Sequence, residues 1–468
     1  MNQLAVQAPQ AIQQAAEPHR PLIECIAPED WNVTVPRHHY SLGQIAGMVA
    51  VLLDCRGSLR GSVLVMTFIS RLLGREPEAP SPTSVRSWLL RVGLYQLLRP
   101  LEKADDWVWI MDHTVQIGEL KCFLIVGLRL GVWQQREVRT LTYSDVDLVG
   151  LWPVRTSTGE IVAGQLEAAV ARTSFPRLIV SDDGRDLHRG LTLFQERQGP
   201  VAWIYDIKHK TASLLKGELQ NDPLWTAFAT QANRTKRQVY LTELAFSNPP
   251  QQRGKARYMS VDRLVGWGNK MLKWLDKPRS VGRELAANRI MEKLGWLRDY
   301  REPLQEWTQA MQVIETVETM VRQEGYHATS EAELRERLPP IEEGSLAARL
   351  RNALLEFVSQ QATLATDTER LPGSSEVLES IIGKYKTLQG EHGQFGVTSM
   401  VLAIGAFVGR LTQSIMRSAL TTVTTKTLGQ WEQTNLGSTI QSQRKQAFST
   451  APGGTKTGSN QLALTHTN

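Results

Sequence analysis

The sequence predicts an α/β protein in which one sheet-containing core is flanked by long helical stretches. Short apolar runs between residues 107 and 206 alternate with amphipathic patterns in the order strand, strand, strand, helix, strand, helix, strand. The third of these strands is expected at residues 137–143. Before and after this region, apolar residues recur at helical spacing. We therefore expect a helical unit ahead of the core and a larger helical stretch behind it.

The composition is that of a globular chain without a disulfide framework. The 468 residues carry 53 Lys and Arg against 47 Asp and Glu, and this net charge of +6 permits a nucleic-acid partner without requiring one. Cys25, Cys55 and Cys122 lie far apart, which excludes a Cys-rich zinc site and favours a reduced cytoplasm. We expect no membrane association, because no apolar run approaches the roughly 18 residues of a spanning helix and no signal-peptide pattern opens the chain.

Residues 40–100 are predicted to form three short helices. Ser41 is suited to cap the first helix, and Pro82 is suited to the first turn of the third. Three short helices with a tight turn are typical of a helix-turn-helix module, whose last helix could lie in the major groove of DNA. Arg86 and Arg91 would then face outward to contact DNA. A plain helical bundle with solvated arginines is the alternative.

Two of the apolar runs end in a carboxylate that is a candidate for chemistry. Asp112 closes the run 107–112, and Asp182 closes the run 177–182. Two strand-end carboxylates that lie side by side repel each other unless a cation joins them, and oxygen ligands favour Mg²⁺ or Mn²⁺. Asp is also common after strands as a turn former or helix cap. Asp183 competes with Asp182 for the second position.

A third candidate carboxylate lies on a late helix, which is predicted to begin at Ser374 or Ser375 and to end near Lys386. Glu379 lies at the edge of its apolar face, and Lys386 lies on the same stripe two turns later, where it can contact a phosphate. A further hydrophobic helical segment is expected at residues 397–423. The rival carboxylates are Glu376, Glu302 and Glu306.

The chain resembles bacterial insertion-sequence transposases of the DDE class in three strings: Met-Asp112-His-Thr-Val-Gln-Ile-Gly118, Val-Ser-Asp182-Asp-Gly-Arg-Asp186-Leu and Ser-Ser-Glu-Val-Leu-Glu379-Ser. The resemblance covers about residues 40–436 and implies an RNase H-like core, a mixed sheet with helices that a long all-α insertion interrupts. The chain then divides into a flexible lead (1–39), a helical DNA-binding module (40–100), the first part of the core (101–210), the insertion (211–370), the second part of the core (371–436) and a disordered basic tail (437–468).

The resemblance also implies an activity. Asp112, Asp182 and Glu379 would be the catalytic residues and would hold Mg²⁺ or Mn²⁺, with two ions expected. The enzyme would bind double-stranded DNA at terminal inverted repeats, cut it and join it to target DNA, without a nucleotide cofactor. Because two ends must be paired, a homodimer or larger assembly is expected, in the bacterial cytoplasm beside the nucleoid.

Two further elements match such transposases in part. Asp206-Ile-Lys-His209 resembles a short Asp-x-x-His element found between the second Asp and the Glu in several families. His209 would orient a phosphate or a carboxylate, or it is a buried structural histidine. Some families carry a Lys seven residues after the Glu, and Lys386 matches it. The Arg and Tyr positions of that pattern hold Ser375 and Pro372 here.

Two basic runs in the helical stretch are candidate phosphate contacts, and solvated helix faces are the alternative. Their members are Arg234, Lys236, Arg237, Arg253, Lys255 and Arg257. Two other functions fit the same residues. One is a non-catalytic DNA-binding protein that keeps the fold of a transposase, and the other is a different RNase H-like nuclease such as a junction resolvase.

Overall fold

Five strands form one mixed sheet in the order β3-β2-β1-β4-β5. The strands are β1 (Trp107–His113), β2 (Lys121–Arg129), β3 (Asp147–Val154), β4 (Leu178–Ser181) and β5 (Ala202–Tyr205). β2 runs antiparallel to both β1 and β3, whereas β1, β4 and β5 run parallel to one another. The predicted α/β class is confirmed, and β1, β2, β4 and β5 lie where the apolar runs indicated.

The computed structural model describes residues 27–74, 79–113, 121–252, 257–276, 284–390, 399–437 and 448. Cys25, Arg253, Lys255 and almost all of the expected tail lie outside the described residues, as does most of the expected lead. Within the described part of the lead, Asp30 accepts a hydrogen bond from Arg417 at 2.9 Å. No helix among the described residues has the length and apolar character needed to cross a bilayer.

The third strand was predicted at the wrong place. Residues 137–142 form no strand, and β3 instead covers Asp147–Val154. Pro153 and Gly150 obscure the strand pattern in the sequence. Because β3 is the edge of the sheet, Pro153 costs no hydrogen bond to a further strand. Gly150 is required because a Cβ there would lie 1.9 Å from the ring of Trp152.

The alternation of side chains along β1 separates the two faces of the sheet. Trp107, Trp109 and Met111 pack in one apolar cluster with residues of α5 (Gly159–Thr173) and α6 (Arg185–Gln198). Val108 and Ile110 belong to the larger cluster on the opposite face. The remaining helices on that face come from both ends of the chain and from the long helical stretch.

The N-terminal helices are α1 (Leu42–Leu53), α2 (Leu59–Leu72) and α3 (Pro82–Leu98). Ser41 caps α1 through a reciprocal pair of hydrogen bonds with Gln44, and Pro82 opens α3, as predicted. α3 is buried along most of its length and packs against the C-terminal helices. Gly93 makes this contact possible, because a Cβ there would lie 1.8 Å from the carbonyl oxygen of Leu402.

After β2 comes the short helix α4 (Leu130–Gln134), and after β5 the chain is helical to residue 362 in its described parts. These helices are α7 (Ile207–Leu219), α8 (Pro223–Val239), α9 (Val261–Asp276), α10 (Glu284–Leu294), α11 (Arg301–Glu324), α12 (Ser330–Arg337) and α13 (Leu346–Ala362). Aromatic side chains contact one another between these helices. The rings of Trp225 and Trp307 pack edge to face, with 4.9 Å between their centroids. The tryptophans of this stretch therefore act as packing anchors.

The C-terminal part begins with α14 (Glu376–Gly390) and continues with α15 (Ala403–Ala406), α16 (Gln413–Thr422) and α17 (Thr425–Leu436). The prediction of one hydrophobic helical segment at 397–423 is wrong. The described part of this segment contains the separate helices α15 and α16. Gly409, at φ +77°, lies in the break between α15 and α16, and its N–H donates to the carbonyl oxygen of Tyr143 at 2.7 Å. The buried apolar residues of α15 and α16 pack against α3.

Candidate active site

Two neighbouring parallel strands end in carboxylates at the same edge of the sheet. In the β1–β4 pair, Ile110 lies beside Val180. Continuing this register by two residues places Asp112 beside Asp182. Because side chains alternate along a strand, Asp112 shares the face of Ile110, which is the face covered by the larger cluster. The two predicted strand-end carboxylates are therefore brought together.

A third strand-end carboxylate lies next along the same edge. In the β4–β5 pair, Ser181 lies beside Tyr205. The next residue of each chain segment, Asp182 and Asp206, is therefore at the same edge of the sheet. Asp206 is only 1% exposed, and it is the N-cap of α7. An apolar run ending in Asp at residue 206 repeats the pattern of the other two strands, so the sequence already carried this signal.

Burial and the neighbouring Asp182 charge raise the pKa of Asp112 to about 7, against a smaller opposing effect of His209. A carboxyl group with such a pKa is neutral or half-ionised near pH 7 unless a cation approaches it. The charge of Asp206 acts in the same direction. A cation bound beside Asp112, in addition to His209, would therefore strongly stabilise the ionised carboxylate.

Asp206 is held by three hydrogen bonds. Its Oδ1 accepts from the backbone N–H of His209 at 2.8 Å and lies 2.9 Å from Nδ1 of that ring, and its Oδ2 accepts from the N–H of Ser375 at 2.6 Å. Burial alone would raise the pKa of Asp206, but the hydrogen bonds from His209 and Ser375 outweigh it and keep the pKa below the usual value. Asp206 is therefore ionised and fixed in place.

His209 is the positive partner of this cluster. Burial would lower its pKa, but the hydrogen bond and charge of Asp206, followed by the charges of Asp182 and Asp112, raise the pKa to about 9. The imidazole is thus protonated at neutral pH. It bonds to Asp206 and lies close enough to Asp182 and Asp112 to offset part of their repulsion.

Glu379 lies on α14, which packs against β1. Its side chain is 44% exposed, and its Oε2 lies 3.6 Å from Nζ of Lys208. Lys208 also meets Glu376 at 3.2 Å, and Glu376 in turn meets Arg322 at 3.4 Å. Lys208 belongs to the same short element as Asp206 and His209, so this element contacts both the aspartate edge and the Glu379 helix. Sequence reasoning missed Lys208 and Arg322.

Within the described residues, Asp112, Asp182 and Glu379 do not form a set whose ligand atoms all lie within 4.8 Å of one another. The aspartate pair and the Glu379 carboxylate are instead connected through α7. Lys386 is exposed on α14, two turns beyond Glu379. The edge of the sheet thus presents the carboxylates of Asp112, Asp182 and Asp206 and a protonated histidine, with the carboxylate of Glu379 on a neighbouring helix.

Most of the remaining candidate and neighbouring carboxylates have partners of their own. Asp183 is half-exposed and lies 2.7 Å from Nδ1 of His188. Asp186 lies 3.5 Å from Nδ1 of His113, whose ring faces away from the Asp112 side, as expected from the strand alternation. Glu306 accepts a hydrogen bond from the backbone N–H of Leu346 at 3.1 Å, and Glu302 is exposed at the start of α11.

The predicted DNA-contacting residues that the structure describes are partly buried on α3 and mostly exposed on α8. Arg86 donates to Ser399, and Arg91 contacts the ring of His38 at 3.1 Å, so both arginines of α3 bind to other parts of the chain. In α8 the basic run faces solvent more freely: Arg234 and Arg237 are exposed and Lys236 is half-buried. Arg257 begins a short 3-10 helix before α9.

Comparison with known proteins finds a distant structural likeness. No protein-family model matches the chain, and no curated protein matches its sequence. Among solved structures, the chain is similar to the Drosophila P element transposase strand transfer complex, with 11% sequence identity and a TM-score of 0.36 over 82% of this chain and 93% of that chain. A likeness at this level establishes neither a shared fold nor a shared function.

Proposed function

We propose that this protein is a DDE-class transposase with an RNase H-like core, which binds the ends of a mobile DNA element and catalyses metal-dependent cleavage and strand transfer. The observation that carries the proposal is that Asp112 in β1 and Asp182, which directly follows the parallel strand β4, lie at the same edge of the sheet. Burial together with this carboxylate neighbour raises the pKa of Asp112, which is the electrostatic condition for binding a cation. The third carboxylate of the proposal is Glu379 on α14.

The donor set fits Mg²⁺ or Mn²⁺. Asp112, Asp182 and Glu379 offer only carboxylate oxygens, which are the ligands these hard cations prefer. Two bound ions would supply Lewis-acid stabilisation of the attacking and leaving oxygens at a phosphodiester. The nucleophile would be water for cleavage and a DNA 3′-OH for strand transfer, so the proposal needs no nucleotide cofactor.

The other charged residues of the site would position this machinery. His209 carries a positive charge beside Asp112 and Asp182, and it can offset their repulsion or contact a DNA phosphate. Asp206 fixes the His209 ring and holds the residue before α14. Lys208 contacts the Glu379 carboxylate and limits its freedom. Lys386 on the same helix would contact a phosphate of the DNA.

DNA binding would rest on local basic residues, since the net charge of the chain is small. Of the predicted DNA-contacting residues that the structure describes, Arg234 and Arg237 on the exposed face of α8 are the best placed for phosphate contacts. We propose that residues 40–100 read the inverted repeats. Pairing two ends would require a dimer or larger assembly, acting in the bacterial cytoplasm beside the nucleoid.

A strand-transfer assay tests the proposal. Short inverted repeats bounding the gene would supply the end sequence, and duplexes carrying it are incubated with full-length protein, a supercoiled target plasmid and Mg²⁺. We expect joined products with the wild type and none with Asp112→Asn or Asp182→Asn, while both variants still bind the duplex. Asp183→Asn is the matched control, because Asp183 pairs with His188, and it should retain activity.

The two alternatives predict different products. A junction resolvase or related nuclease would cut branched DNA in the presence of Mg²⁺ without joining ends to a target. A non-catalytic DNA-binding protein would bind the duplex and yield no metal-dependent product at all. Strand transfer that persists in Asp112→Asn would contradict the assignment of the catalytic carboxylates.

A further inference from the structure

A second cluster of metal-ligand side chains lies in the helical stretch, outside the proposed active site. The Glu324, His327 and Glu333 side chains each offer one ligand atom, and these atoms all lie within 4.8 Å of one another. In the part of the chain that the structure describes, no other three His, Cys, Asp or Glu side chains meet this condition.

The backbone brings these residues together at a sharp turn. Glu324 is the last residue of α11, and Gly325 turns the chain with φ +74°, a conformation that favours glycine. Tyr326 then pairs with Leu371 in an isolated β-bridge, so His327 is held at a fixed position. Glu333 follows on α12. The cluster therefore joins the end of one helix to the body of the next.

The hydrogen bonds of Thr329 place a proton on Nδ1 of the His327 ring. The Thr329 hydroxyl donates to Oε1 of Glu333 at 2.7 Å, and a carboxylate can only accept. The same hydroxyl lies 3.1 Å from Nδ1 of His327, so its oxygen must accept from an Nδ1–H. When the ring carries no second proton, Nε2 has a lone pair.

This lone pair is buried and lacks a hydrogen-bond donor. His327 is 6% exposed, and its Nε2 makes no hydrogen bond, while Oε2 of Glu333 lies 3.8 Å away. A lone pair that faces a carboxylate in a buried place is destabilising unless a cation lies between them. An Nδ1–H held by a hydroxyl, with a free Nε2, is also the arrangement of a metal-ligating histidine with its supporting partner.

A side-chain cation now neutralises the two carboxylates. Arg337 donates to both carboxylate oxygens of Glu324, and its Nη2 lies 3.2 Å from Oε2 of Glu333. Arg370 contributes a further positive charge by donating to the carbonyl oxygen of Glu324 at 3.3 Å. The Arg337 side chain is 40% exposed, so it can turn to solvent and leave the carboxylates to another cation.

We propose that Glu324, His327 and Glu333 bind one first-row transition-metal ion of the zinc class, with Thr329 supporting the histidine and Arg337 as the competing cation. One imidazole nitrogen with two carboxylate oxygens suits Zn²⁺ or Co²⁺, whereas Mg²⁺ and Ca²⁺ prefer ligands that are all oxygen. The ion would tie α11 to α12 beside the Tyr326–Leu371 bridge. The site is separate from the strand-end carboxylates.

Metal titration of the full-length chain tests this proposal. To keep the strand-end site from contributing, the protein carries Asp112→Asn and Asp182→Asn, is stripped with a chelator, and is titrated with Co²⁺ and then Zn²⁺. We expect one Co²⁺ per chain with the visible absorption of a low-coordinate site, displacement by Zn²⁺, and a higher thermal unfolding midpoint with metal.

Variants in the same background identify the ligands. His327→Gln and Glu333→Gln should abolish the absorption, and Thr329→Val should weaken binding about 10–100-fold, as loss of a supporting partner does. Arg337→Ala should bind more tightly, because it removes the competing cation. Glu331→Gln, on the same helix but paired with Arg335, is the control and should bind as the parent does.

Three results would overturn the proposal. The first is absence of Co²⁺ or Zn²⁺ binding in both the parent and Arg337→Ala, provided that urea unfolding shows both to be folded. The second is binding that His327→Gln and Glu333→Gln leave unchanged. The third is weaker binding after Arg337→Ala in a protein that is still folded, since this would make Arg337 a support of the site rather than its competitor.

Discussion

Asp206 Oδ2 accepts a hydrogen bond of 2.6 Å from the backbone N–H of Ser375, and this bond connects the end of β5 to the start of α14. The other oxygen of the same carboxylate holds His209. One buried aspartate thus fixes both the positive charge next to Asp112 and the helix that carries Glu379. Together with Lys208, which contacts Glu376 and Glu379, this side chain holds the two halves of the candidate site in their relative position.

Asp206→Asn should lower both stability and activity. Asparagine cannot accept from Ser375 and from both His209 donors as a carboxylate does, and its amide hydrogens would face other donors in a buried place. We expect the free energy of unfolding to fall by about 1.5–3 kcal/mol, the range for a hydrogen bond to a charged group. Urea unfolding measures this loss. A stability equal to that of the wild type would show that the Ser375 contact does not hold the two halves together.

The stability of the chelator-treated protein should fall as the pH rises from about 5 to 9. Asp112 releases its proton near pH 4 when unfolded but at about 7 when folded, so the folded state binds more protons between these values. The stabilisation from His209, whose pKa is raised to about 9, is complete below about 6.5 and is lost as the pH passes 9. Both effects have the same sign.

Urea unfolding at pH 5.5, 7 and 9 checks this dependence. In Asp112→Asn, the fall in stability with rising pH should be absent below about pH 7. Asp183→Asn should keep this fall. Added Mg²⁺ should restore stability at pH 8, because it binds the ionised carboxylates. A wild-type profile parallel to that of Asp112→Asn would mean that Asp112 ionises as an ordinary aspartate.

His209→Gln should shift the acid limb of the pH–activity profile to higher pH. The positive charge of His209 lowers the pKa of Asp112, so its removal lets that pKa rise further. Glutamine can still donate to Asp206, which separates the loss of charge from the loss of the hydrogen bond. Strand transfer measured from pH 6 to 9 reports the shift, with Asp183→Asn as the unshifted control. An unchanged limb at reduced rate would point to a structural role for His209.

Glu379 and Glu376 can be distinguished by paired variants, because Lys208 contacts both carboxylates. Glu379→Gln should lower strand transfer by about a hundredfold or more, the scale for losing one charged group that stabilises a transition state. Glu376→Gln removes the contact to Arg322 and should have a much smaller effect. The two rates, measured on proteins of equal thermal stability, decide the assignment. The opposite order would transfer the catalytic role to Glu376.

The sequence predicted most of the strand layer because the runs ending at Asp112, Asp182 and Asp206 are short, apolar and β-branched or aromatic. It failed at β3, where Gly150 and Pro153 serve an edge strand and weaken the pattern. Local sequence holds no record of strand order, so the neighbouring position of Asp112 and Asp182 becomes visible only in the sheet.

The α3 helix shows a second limit of prediction from the sequence. From the sequence, Arg86 and Arg91 looked like the outer face of a DNA-contacting helix, but both meet C-terminal segments more than 300 residues away in the chain, Ser399 and the carbonyl oxygen of Leu420 respectively. A helix that is amphipathic in isolation can still be covered on its polar side by distant elements. Lys208 and Arg322 were missed for the same reason, since Glu376 joins them only in three dimensions.

Gly93 lets α3 pack closely against the C-terminal segments, so a larger residue there should destabilise the protein. Gly93→Ala would place a Cβ 1.8 Å from the carbonyl oxygen of Leu402, and a backbone atom cannot move aside cheaply. We expect a loss of about 3 kcal/mol in the free energy of unfolding. Gly164→Ala, in the middle of α5, meets nothing within 4 Å and should stabilise the protein by about 0.5–1 kcal/mol. Urea unfolding of both variants measures the contrast. Equal effects of the two substitutions would mean that α3 does not contact the C-terminal segment as closely as described, and that the arginines of α3 are freer to meet DNA.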